Sequence, residues 1–345
     1  MIDWVKARIP CRHAEPINGG RIMRVNPDGS IEWETETRRE VRGSYDTALH
    51  VKTHGVAVDG SGAILEIDGN PVKWLQGHNL WGTDDLIGLV CETMERLVPL
   101  LGLEPSDSDR KAWGEGAFEL QRVDVTDSYE LRNRADCLAW IRSAEHSAHM
   151  RHRGKGQITK GNTLYFGKCS RRWSLKIYSK GQEIVAPGHE LPEAIATPAV
   201  LAWADNKLRF EAVLRKMWLT DRGLDVAANW GDNTPSELLT DLLQGLHMSD
   251  THTLPADVLE GLPPRLVAAY HLWKEGHDLR AMFPRPTFYR YRSQLLPHGV
   301  DIAIKQPREK SNVVPLVRVL EAKPATIPDW ARGTPLYFEP RRRFG

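Results

Sequence analysis

The chain has 345 residues, with 46 Lys and Arg against 45 Asp and Glu, 41% hydrophobic residues and 26% charged residues. This composition allows enough apolar burial to offset conformational entropy, so it predicts a folded protein with one large domain or two ordinary ones, and it argues against a disordered chain. The sequence has neither a run of about 18 apolar residues nor an apolar segment behind a charged N-terminal region. We therefore expect a cytoplasmic protein with no membrane span and no signal peptide.

Signatures of several enzyme classes are absent from the sequence. There is no G-x-x-x-x-G-K-[ST] loop, no G-x-S-x-G elbow, no H-E-x-x-H helix and no G-x-G-x-x-G after a predicted strand. The cysteines at positions 11, 91, 137 and 169 form no C-x-x-C pair. These absences argue against an ATPase, a serine hydrolase, a zincin, a dinucleotide enzyme, a disulfide framework and a cysteine-rich zinc site.

The first predicted elements are a β-hairpin and a helix. Residues 48–54 roughly alternate between apolar and polar side chains, and residues 63–67 form a second strand after a Gly-Ser-Gly turn. Residues 84–101 carry apolar side chains at three- and four-residue spacing. This spacing predicts an amphipathic helix, with Thr83 or Asp84 as its N-cap.

The middle of the chain mixes strands with helices. Residues 118–125 alternate as a strand, and residues 133–147 are predicted to be helical. Three further strands are expected, at residues 163–167, 173–178 and 207–214. Because strands and helices do not alternate strictly, residues 1–220 are predicted to form one α+β domain with a largely antiparallel sheet and flanking helices.

Residues 221–345 are predicted to form a mostly helical C-terminal region. Helices are expected at residues 236–246 and 264–273, where apolar side chains recur at helical spacing between Pro breaks. Two shorter helices follow.

These two shorter helices form a candidate DNA-binding element. Residues 278–283 and 287–296 are separated by a Pro-Arg-Pro break and resemble a helix-turn-helix. The second helix carries Tyr289, Arg290 and Arg292, which are predicted to recognise DNA. The alternative is a proline-broken helical hairpin with a solvated basic face.

A tract in the middle of the chain carries a strongly uneven charge. From Arg151 to Lys180 the sequence has nine Lys and Arg residues and no Asp or Glu, whereas the net charge of the whole chain is +1. Such an asymmetry favours contact with a polyanion. Besides Lys160, the tract contains the predicted DNA contacts Arg151, Arg153, Lys155, Lys168, Arg171, Arg172 and Lys176.

Tyr178 is the candidate nucleophile within this basic tract. A tyrosine that attacks a phosphodiester benefits from nearby cations, because they favour the phenolate and stabilise charge on the phosphate oxygens. Lys180 follows two residues later and is expected on the same face of the strand. The pattern alone is also typical of an ordinary half-buried pair of tyrosine and lysine.

Carboxylates in predicted strands are candidate metal ligands. Asp124 and Glu211 lie in alternating strands, and Glu66 belongs to the hairpin. A buried carboxylate is costly unless it is paired or bound to a metal, and Mg²⁺ or Mn²⁺ would bind such oxygens together with waters and a phosphate oxygen. The alternative is that Arg122 and Arg209 neutralise the carboxylates across the sheet.

Histidines offer two further metal-binding possibilities. His78 lies in a Gly-flanked polar loop between a strand and a helix, although loop histidines are more often surface residues than ligands. His146, His149 and His152 recur every three residues at a predicted helix end. For these three, a basic helix end that leads into the cationic tract is the favoured interpretation.

Taken in order, these segments resemble the replication initiators of filamentous phages, the gene II protein type and its gene X relatives. The resemblance covers most of the chain and rests most strongly on the strings LQGHN at residues 75–79 and NVVPLVR at residues 312–318. Shorter matching pieces, M-I-D, R-x-D-x-T, L-x-x-Y-x-K and R-F-E-A, lie at residues 1–3, 122–126, 175–180 and 209–212. The arrangement is also similar to the replication-initiation-factor family of rolling-circle plasmids.

The resemblance implies a fold like that of rolling-circle nickases, a catalytic domain over residues 1–220 and a DNA-binding region over 221–345. It implies that one strand of a supercoiled double-stranded origin is nicked, that the 5′ phosphate stays on Tyr178, and that the displaced strand is later closed. Lys180 and Arg172 would offset negative charge. The His-hydrophobic-His pair of the wider nickase group is absent, so the implied Mg²⁺ or Mn²⁺ ligands are, in falling order of preference, Asp124, Glu211, Glu66 and His78.

The resemblance also implies partners. These are double-stranded and single-stranded DNA at the origin, a host helicase, a host polymerase, and a second copy of the chain in a homodimer at the origin. Strand closure would use that second protomer, another tyrosine such as Tyr165, or a reverse attack by the new 3′-OH. Two competing interpretations are a non-catalytic origin-binding regulator and a recombinase or transposase that uses the same tyrosine chemistry.

Overall fold

The computed structural model describes residues 1–45, 47–159, 162–248, 256–295, 300, 302–303 and 324–339. Lys160 and the NVVPLVR string lie outside the described residues. The strands are β1 (Ile2–His13), β2 (Arg21–Val25), β3 (Ile31–Glu36), β4 (Arg39–Arg42), β5 (Ala48–Thr53), β6 (Gly62–Gly69), β7 (Glu119–Glu130), β8 (Ala148–Met150), β9 (Gly154–Lys155), β10 (Gln157–Thr159), β11 (Thr163–Phe166), β12 (Trp173–Ser179), β13 (Lys207–Arg215) and β14 (Leu246–Met248).

The helices flank these strands and dominate the second half of the chain. They are α1 (Pro71–Gln76), α2 (Leu86–Leu101), α3 (Asp107–Gly114), α4 (Arg134–Ser147), α5 (Lys180–Glu183), α6 (Pro198–Asp205), α7 (Lys216–Thr220), α8 (Thr234–Leu243), α9 (Ala256–Gly261), α10 (Pro264–Lys274), α11 (Leu279–Met282) and α12 (Arg285–Leu295). Within the described ranges, none of them combines the length and the apolar character that a membrane crossing requires.

A nine-stranded sheet organises the molecule. Its strand order is β10-β11-β12-β13-β7-β1-β6-β5-β4. Every neighbouring pair in this sheet is antiparallel. The predicted α+β class with a largely antiparallel sheet is therefore confirmed, as is the hairpin formed by β5 and β6.

The sequence interpretation missed β1, although this strand lies between β7 and β6 near the middle of the sheet. Val5, Ala7 and Ile9 are fully buried and alternate with Lys6 and Arg8, which are partly exposed. The period-two signal was thus present in the first residues of the chain.

Two smaller errors concern helix ends. Asp85, one residue after the predicted caps, accepts from the Gly88 amide as the N-cap of α2, and α8 ends before residues 246–248 form β14.

The two faces of the large sheet differ in chemistry. Residues directly opposite each other in an antiparallel ladder point to the same face, and the face alternates along each strand. One face is apolar, and its buried side chains share a core with apolar residues from α1, α2, α4 and α8. The other face, called the polar face below, carries Lys6 of β1, Glu66 of β6, Asp124 and Thr126 of β7, Tyr165 of β11, Lys176 and Tyr178 of β12, and Arg209 and Glu211 of β13.

The C-terminal helices α10, α11 and α12 bury their own apolar cluster, which includes Tyr270, Trp273 and Phe288. In contrast, α8 contributes Leu239 and Leu243 to the main core. The predicted domain boundary after residue 220 stays a prediction. So does the helix-turn-helix assignment, since α11 has four residues and α12 begins at Arg285, two residues earlier than expected.

Candidate active site

Tyr178 lies near the end of β12 on the polar face, with 7% of its surface exposed. In the ladder between β12 and β13, Tyr178 is opposite Arg209, and Lys176 is opposite Glu211. Tyr178 therefore meets Glu211 diagonally, and its hydroxyl donates to Glu211 Oε2 at 3.1 Å. Lys176 donates to the other oxygen of the same carboxylate. A single buried glutamate thus joins the candidate nucleophile to a cation.

The electrostatic expectation for Tyr178 was wrong. We expected the basic tract to favour its phenolate, but the pKa of Tyr178 is raised well above its ordinary value of 10.0. Burial is the main cause, and the carboxylates of Glu183 and Glu211 add to the rise, while Arg209 opposes it. The resting tyrosine is consequently a neutral phenol, and its hydroxyl needs a proton acceptor before it can attack phosphorus.

Lys180 comes close to Tyr178 by a different route from the one predicted. It does not continue the strand but begins α5, and its Nζ lies 5.9 Å from the centre of the Tyr178 ring. Lys180 is 1% exposed, donates to Asn79 Oδ1 at 2.8 Å and pairs with Glu183. Burial lowers the pKa of Lys180, and the Glu183 carboxylate opposes this change. The ammonium is therefore held in place beside the ring by two partners.

The structure adds three residues that the sequence interpretation did not assign to the site. Arg209 is 1% exposed and donates to the carbonyl oxygen of Asn79 at 2.5 Å. The amide group of Asn79 in turn donates to Asp3 Oδ1 at 2.9 Å. These contacts fix the loop after α1 against the first residues of β13. In the sequence, these three residues stand out only through the M-I-D, LQGHN and R-F-E strings of the family resemblance. The three strings are far apart along the chain, so no local pattern predicts that they meet.

Asp124 and Glu211 are the two metal candidates that the fold brings together. Asp124 is 1% exposed and accepts from Arg122 Nε at 2.8 Å and from Arg122 Nη2 at 2.5 Å. Arg122 therefore pairs with this carboxylate as the alternative interpretation suggested, but along one strand instead of across the sheet. Burial raises the pKa of Asp124 from 3.8 to about 7, the Arg122 guanidinium opposes this rise, and the Glu211 carboxylate adds to it. Arg209 makes no comparable bond with Glu211 in the described contacts, since Lys176 takes that place.

A nearby hydroxyl makes this carboxylate pair a suitable host for a cation. Thr126 lies directly opposite Glu211 in the ladder, and its buried Oγ1 has no hydrogen-bond partner within the described part of the chain. Three oxygen-bearing side chains, those of Asp124, Thr126 and Glu211, therefore share one patch, and oxygen is the donor atom that Mg²⁺ and Mn²⁺ prefer. Across the described residues, no group of three or more His, Cys, Asp and Glu side chains is arranged to hold a metal. A cation here would need waters or substrate phosphate oxygens as further ligands.

Glu66 is not brought to this patch. Its strand, β6, lies three strands away from β13 in the sheet order, which corresponds to about 14 Å. The Glu66 carboxylate accepts from Arg38 at 3.0 Å and lies 3.5 Å from both Lys6 and Arg8. Burial alone would raise the pKa of Glu66, but the hydrogen bond from Arg38 and the nearby cations lower it. The surroundings of Glu66 are those of a neutralised structural anion.

His78 does not join the carboxylates either, because both of its ring nitrogens form hydrogen bonds within the protein. It is fully buried, and its Nε2 lies 2.9 Å from the carbonyl oxygen of Leu336, which can only accept, so Nε2 carries the proton. Nδ1 accepts from the Leu80 amide at 3.2 Å. Burial lowers the pKa of His78 to about 4, so the ring is neutral near pH 7. Both ring nitrogens are thus engaged within the protein, and His149 of the other histidine group lies in β8 after the helix has ended.

Most of the basic tract lies on the surface. Arg151, Lys155, Lys168, Arg171 and Arg172 are exposed, whereas Arg153 and Lys176 are half-buried. The Arg153 guanidinium lies 4.4 Å from the centre of the Trp173 ring, and Arg172 pairs with Asp221. Arg172 precedes β12 and is about 20 Å of extended strand away from Tyr178, so the fold does not bring these two residues together.

The candidate recognition residues of α12 differ in exposure. Tyr289 is 46% exposed and Arg290 is exposed, while Arg292 is half-buried. The Arg285 guanidinium lies 5.9 Å from the centre of the Tyr289 ring, and the Arg290 guanidinium lies 5.6 Å from the centre of the Tyr291 ring. Their role in DNA recognition stays a prediction.

Comparison with known proteins assigns the chain to a family. Residues 1–233 match the model of the N-terminal family of the phage replication-associated protein, the gene II protein, and residues 265–337 match the model of its C-terminal family. The replication-associated protein of Enterobacteria phage I2-2 is 42% identical over 331 residues, which cover 95% of each chain. The protein of the same name from Enterobacteria phage M13 is 26% identical over 326 residues, covering 77% of this chain and 76% of the relative. The chain therefore belongs to the replication-associated protein family of filamentous phages, the gene II protein family.

Proposed function

We propose that this protein initiates rolling-circle replication of a filamentous phage genome by nicking one strand of a double-stranded DNA origin, and that it later recloses the displaced strand. Tyr178 is the nucleophile and Glu211 is its proton acceptor. The observation that carries the proposal is the hydrogen bond from the Tyr178 hydroxyl to Glu211 Oε2, on a face that also bears Lys176 and lies next to Lys180. Family membership supports a role in replication.

The chemical step follows from these contacts. The Tyr178 oxygen attacks the phosphorus of the scissile phosphodiester while its proton passes to Glu211 Oε2. The bond from phosphorus to the 3′ oxygen breaks, and the 3′ oxygen leaves as a hydroxyl after taking up a proton. The 5′ phosphate stays esterified to Tyr178, which conserves the energy of the phosphodiester, so rejoining needs no nucleotide cofactor. Lys180 and Lys176 stabilise the added negative charge.

A divalent cation fits this proposal through Asp124, Thr126 and Glu211. When bound there, Mg²⁺ or Mn²⁺ would supply Lewis-acid stabilisation of phosphate charge. Burial is the main reason why the pKa of Asp124 is raised, and the nearby Glu211 carboxylate adds to the rise. A bound cation would offset the repulsion between the two carboxylates. Glu66 and His78 are not part of the proposed cation site, given their own protein partners.

The exposed part of the basic tract would hold the DNA backbone next to this site. Lys168, Arg171 and Lys155 offer charge without acidic neighbours in the sequence of the tract. Tyr289, Arg290 and Arg292 of α12 would recognise the origin in this proposal. The DNA partners, the host helicase and polymerase, a homodimer at the origin and a location in the bacterial cytoplasm belong to the same proposal.

Nicking of supercoiled plasmid tests the function directly. The plasmid carries the origin region of the replicon that encodes this chain, and Mg²⁺ or Mn²⁺ is added. The wild-type protein should give open circles and a covalent protein–DNA adduct on a denaturing gel, and Tyr178→Phe should give neither.

Tyr129→Phe is the matched control, because Tyr129 lies on the apolar face with its ring packed against Phe210 at 5.2 Å. An adduct formed by Tyr178→Phe would contradict the proposal. Origin binding by the wild-type protein without cleavage in either metal would favour the non-catalytic regulator, and joining of two different DNA ends as the main product would favour the recombinase.

A further inference from the structure

A second tyrosine lies on the polar face beside the proposed nucleophile. In the ladder between β11 and β12, Tyr165 is directly opposite Lys176, and Thr163 is directly opposite Tyr178. Tyr165 and Tyr178 are therefore diagonal neighbours on one face, a relation that places such side chains about 7–8 Å apart at their base. Both side chains therefore stand on the same face of neighbouring strands, and the Tyr178 hydroxyl is directed to Glu211 on β13.

The surroundings of Tyr165 suit a role in phosphate chemistry. The side chain is half-buried, so part of it is open to solvent, and Lys168 Nζ lies 5.1 Å from the centre of its ring. Lys176 is its partner across the ladder. Of the eight tyrosines in the sequence, all of which lie in the described residues, only Tyr165 and Tyr178 lie on the polar face, since Tyr129 is on the apolar face and the others are outside the nine strands.

Closing a displaced strand requires a second phosphoryl transfer while Tyr178 is still esterified to the first 5′ end. We propose that Tyr165 is the nucleophile of this second transfer within the same protomer, an inference that rests on the proposed nicking function. The Tyr165 oxygen attacks the phosphorus of the regenerated origin site, the bond to the 3′ oxygen breaks, and the phenol proton ends on that oxygen. The released 3′-OH then attacks the phosphorus on Tyr178, which closes the circle and returns a proton to the Tyr178 phenol. The new 5′ end remains on Tyr165, so the bonds formed and broken balance and no energy source is needed.

A two-oligonucleotide experiment isolates this step. The full chain is first loaded with an oligonucleotide cut at the origin site, the released 5′ fragment, which ends in the new 3′-OH, is removed, and the adduct between Tyr178 and the 3′ fragment is purified. A second, differently labelled oligonucleotide with an intact site is then added. Joined product, in which the 3′-OH released from the second oligonucleotide is linked to the 5′ phosphate of the first oligonucleotide's 3′ fragment, is measured per molecule of loaded adduct.

The wild-type protein should join the two oligonucleotides, and the joined fraction should not change over a tenfold protein dilution, as a step within one protomer requires. For Tyr165→Phe the joined fraction should fall at least about 100-fold, since the attacking oxygen is lost. Tyr129→Phe, the control from the apolar face, should match the wild type. After joining, trypsin should leave the second oligonucleotide on the peptide of residues 161–168, which contains Tyr165 and is separated from Tyr178 by several basic residues.

Equal joining by Tyr165→Phe and the wild type would overturn the inference. So would recovery of joining when free wild-type protein is added to loaded Tyr165→Phe, because the second nucleophile would then come from another protomer. Failure of the wild-type protein to form the first adduct would instead contradict the proposed function itself, and with it this inference.

Discussion

The polar face contains two clusters of buried carboxylates and cations in which a carboxylate pKa is shifted in opposite directions. Lys6, Arg8 and Arg38 contact the Glu66 carboxylate, Lys6 and Arg38 also pair with Asp68, and the pKa of Glu66 is lowered. Around Asp124 and Glu211, two carboxylates share a patch, and the pKa of Asp124 rises to about 7. Similar residue types on one sheet therefore lower the pKa of a buried carboxylate in one place and raise it in the other.

The largest difference between the two clusters should appear in catalysis. Glu211→Gln keeps the shape of the side chain but removes the proposed proton acceptor of Tyr178, so the nicking rate should fall by about 10²–10⁴. Glu66→Gln is the matched change in the other cluster and should alter the rate by no more than a few-fold. Single-turnover nicking of supercoiled plasmid measures both variants. Similar losses in the two would erase the proposed distinction.

The two clusters should also respond to pH with opposite sign. The folded-state pKa of Asp124 is raised from 3.8 to about 7, so its contribution to stability is present below pH 3.8 and is lost as pH rises to about 7. The pKa of Glu66 is lowered from 4.5, so its contribution is present above pH 4.5 and is lost as pH falls through the folded-state value.

Urea unfolding in EDTA, from pH 4 to 8, measures these contributions as differences from the wild type. The free energy of unfolding of the wild type minus that of Asp124→Asn should fall by on the order of 1 kcal/mol per pH unit below pH 7. The corresponding difference for Glu66→Gln should rise over the lowest part of the range. A rising difference for Asp124→Asn would mean that its carboxylate is fully neutralised by Arg122.

Removal of the Glu66 charge should lower the free energy of unfolding. Glu66→Gln weakens charge-assisted bonds to Arg38, Lys6 and Arg8. The three cations remain partly exposed and can be rehydrated, so the expected loss at pH 7 is about 1.5–3 kcal/mol and not more. Urea unfolding at pH 7 provides the value. A variant as stable as the wild type would show that the cluster contributes nothing to folding.

The smallest expected difference concerns cation binding. Mn²⁺ at about ten times its dissociation constant should raise the free energy of unfolding of the wild type by about 1.4 kcal/mol. Asp124→Asn should lose this stabilisation, whereas Glu66→Gln should retain it. Thermal unfolding with and without Mn²⁺, in the absence of DNA, separates the two outcomes. Retained stabilisation in Asp124→Asn would place the cation elsewhere.

The elements with strong local patterns were predicted from the sequence, whereas the composition of the site was only partly predictable. The hairpin of β5 and β6, the helix α2 and the strands β11 to β13 follow from period-two and helical spacing. The grouping of Asp124 with Glu211, and the exclusion of Glu66, depend on strand order, which local spacing does not encode. The missed strand β1 separates the two groups.

The sequence interpretation also did not predict which of the candidate site residues are buried. His78 lies in a loop as predicted, but it is fully buried, and its Nε2 donates a hydrogen bond to the carbonyl oxygen of Leu336, far along the chain. The same holds for Lys180, whose position depends on the N-terminus of α5 and on Asn79, not on strand periodicity. The basic tract suggested a readily ionised tyrosine, yet burial raises the pKa of Tyr178, and the carboxylates of Glu183 and Glu211 add to the rise.

The central claim is that Tyr178 becomes covalently attached to the 5′ end of the nicked strand. Denatured adduct from origin plasmid and Mg²⁺ can be digested with nuclease and trypsin, and the peptide that carries the residual 5′ nucleotide can be sequenced by mass spectrometry. The first-nick adduct should lie on the peptide of residues 177–180, at Tyr178. A nucleotide attached to any other residue after the first nick, or nicked DNA without any attached peptide, would contradict the claim.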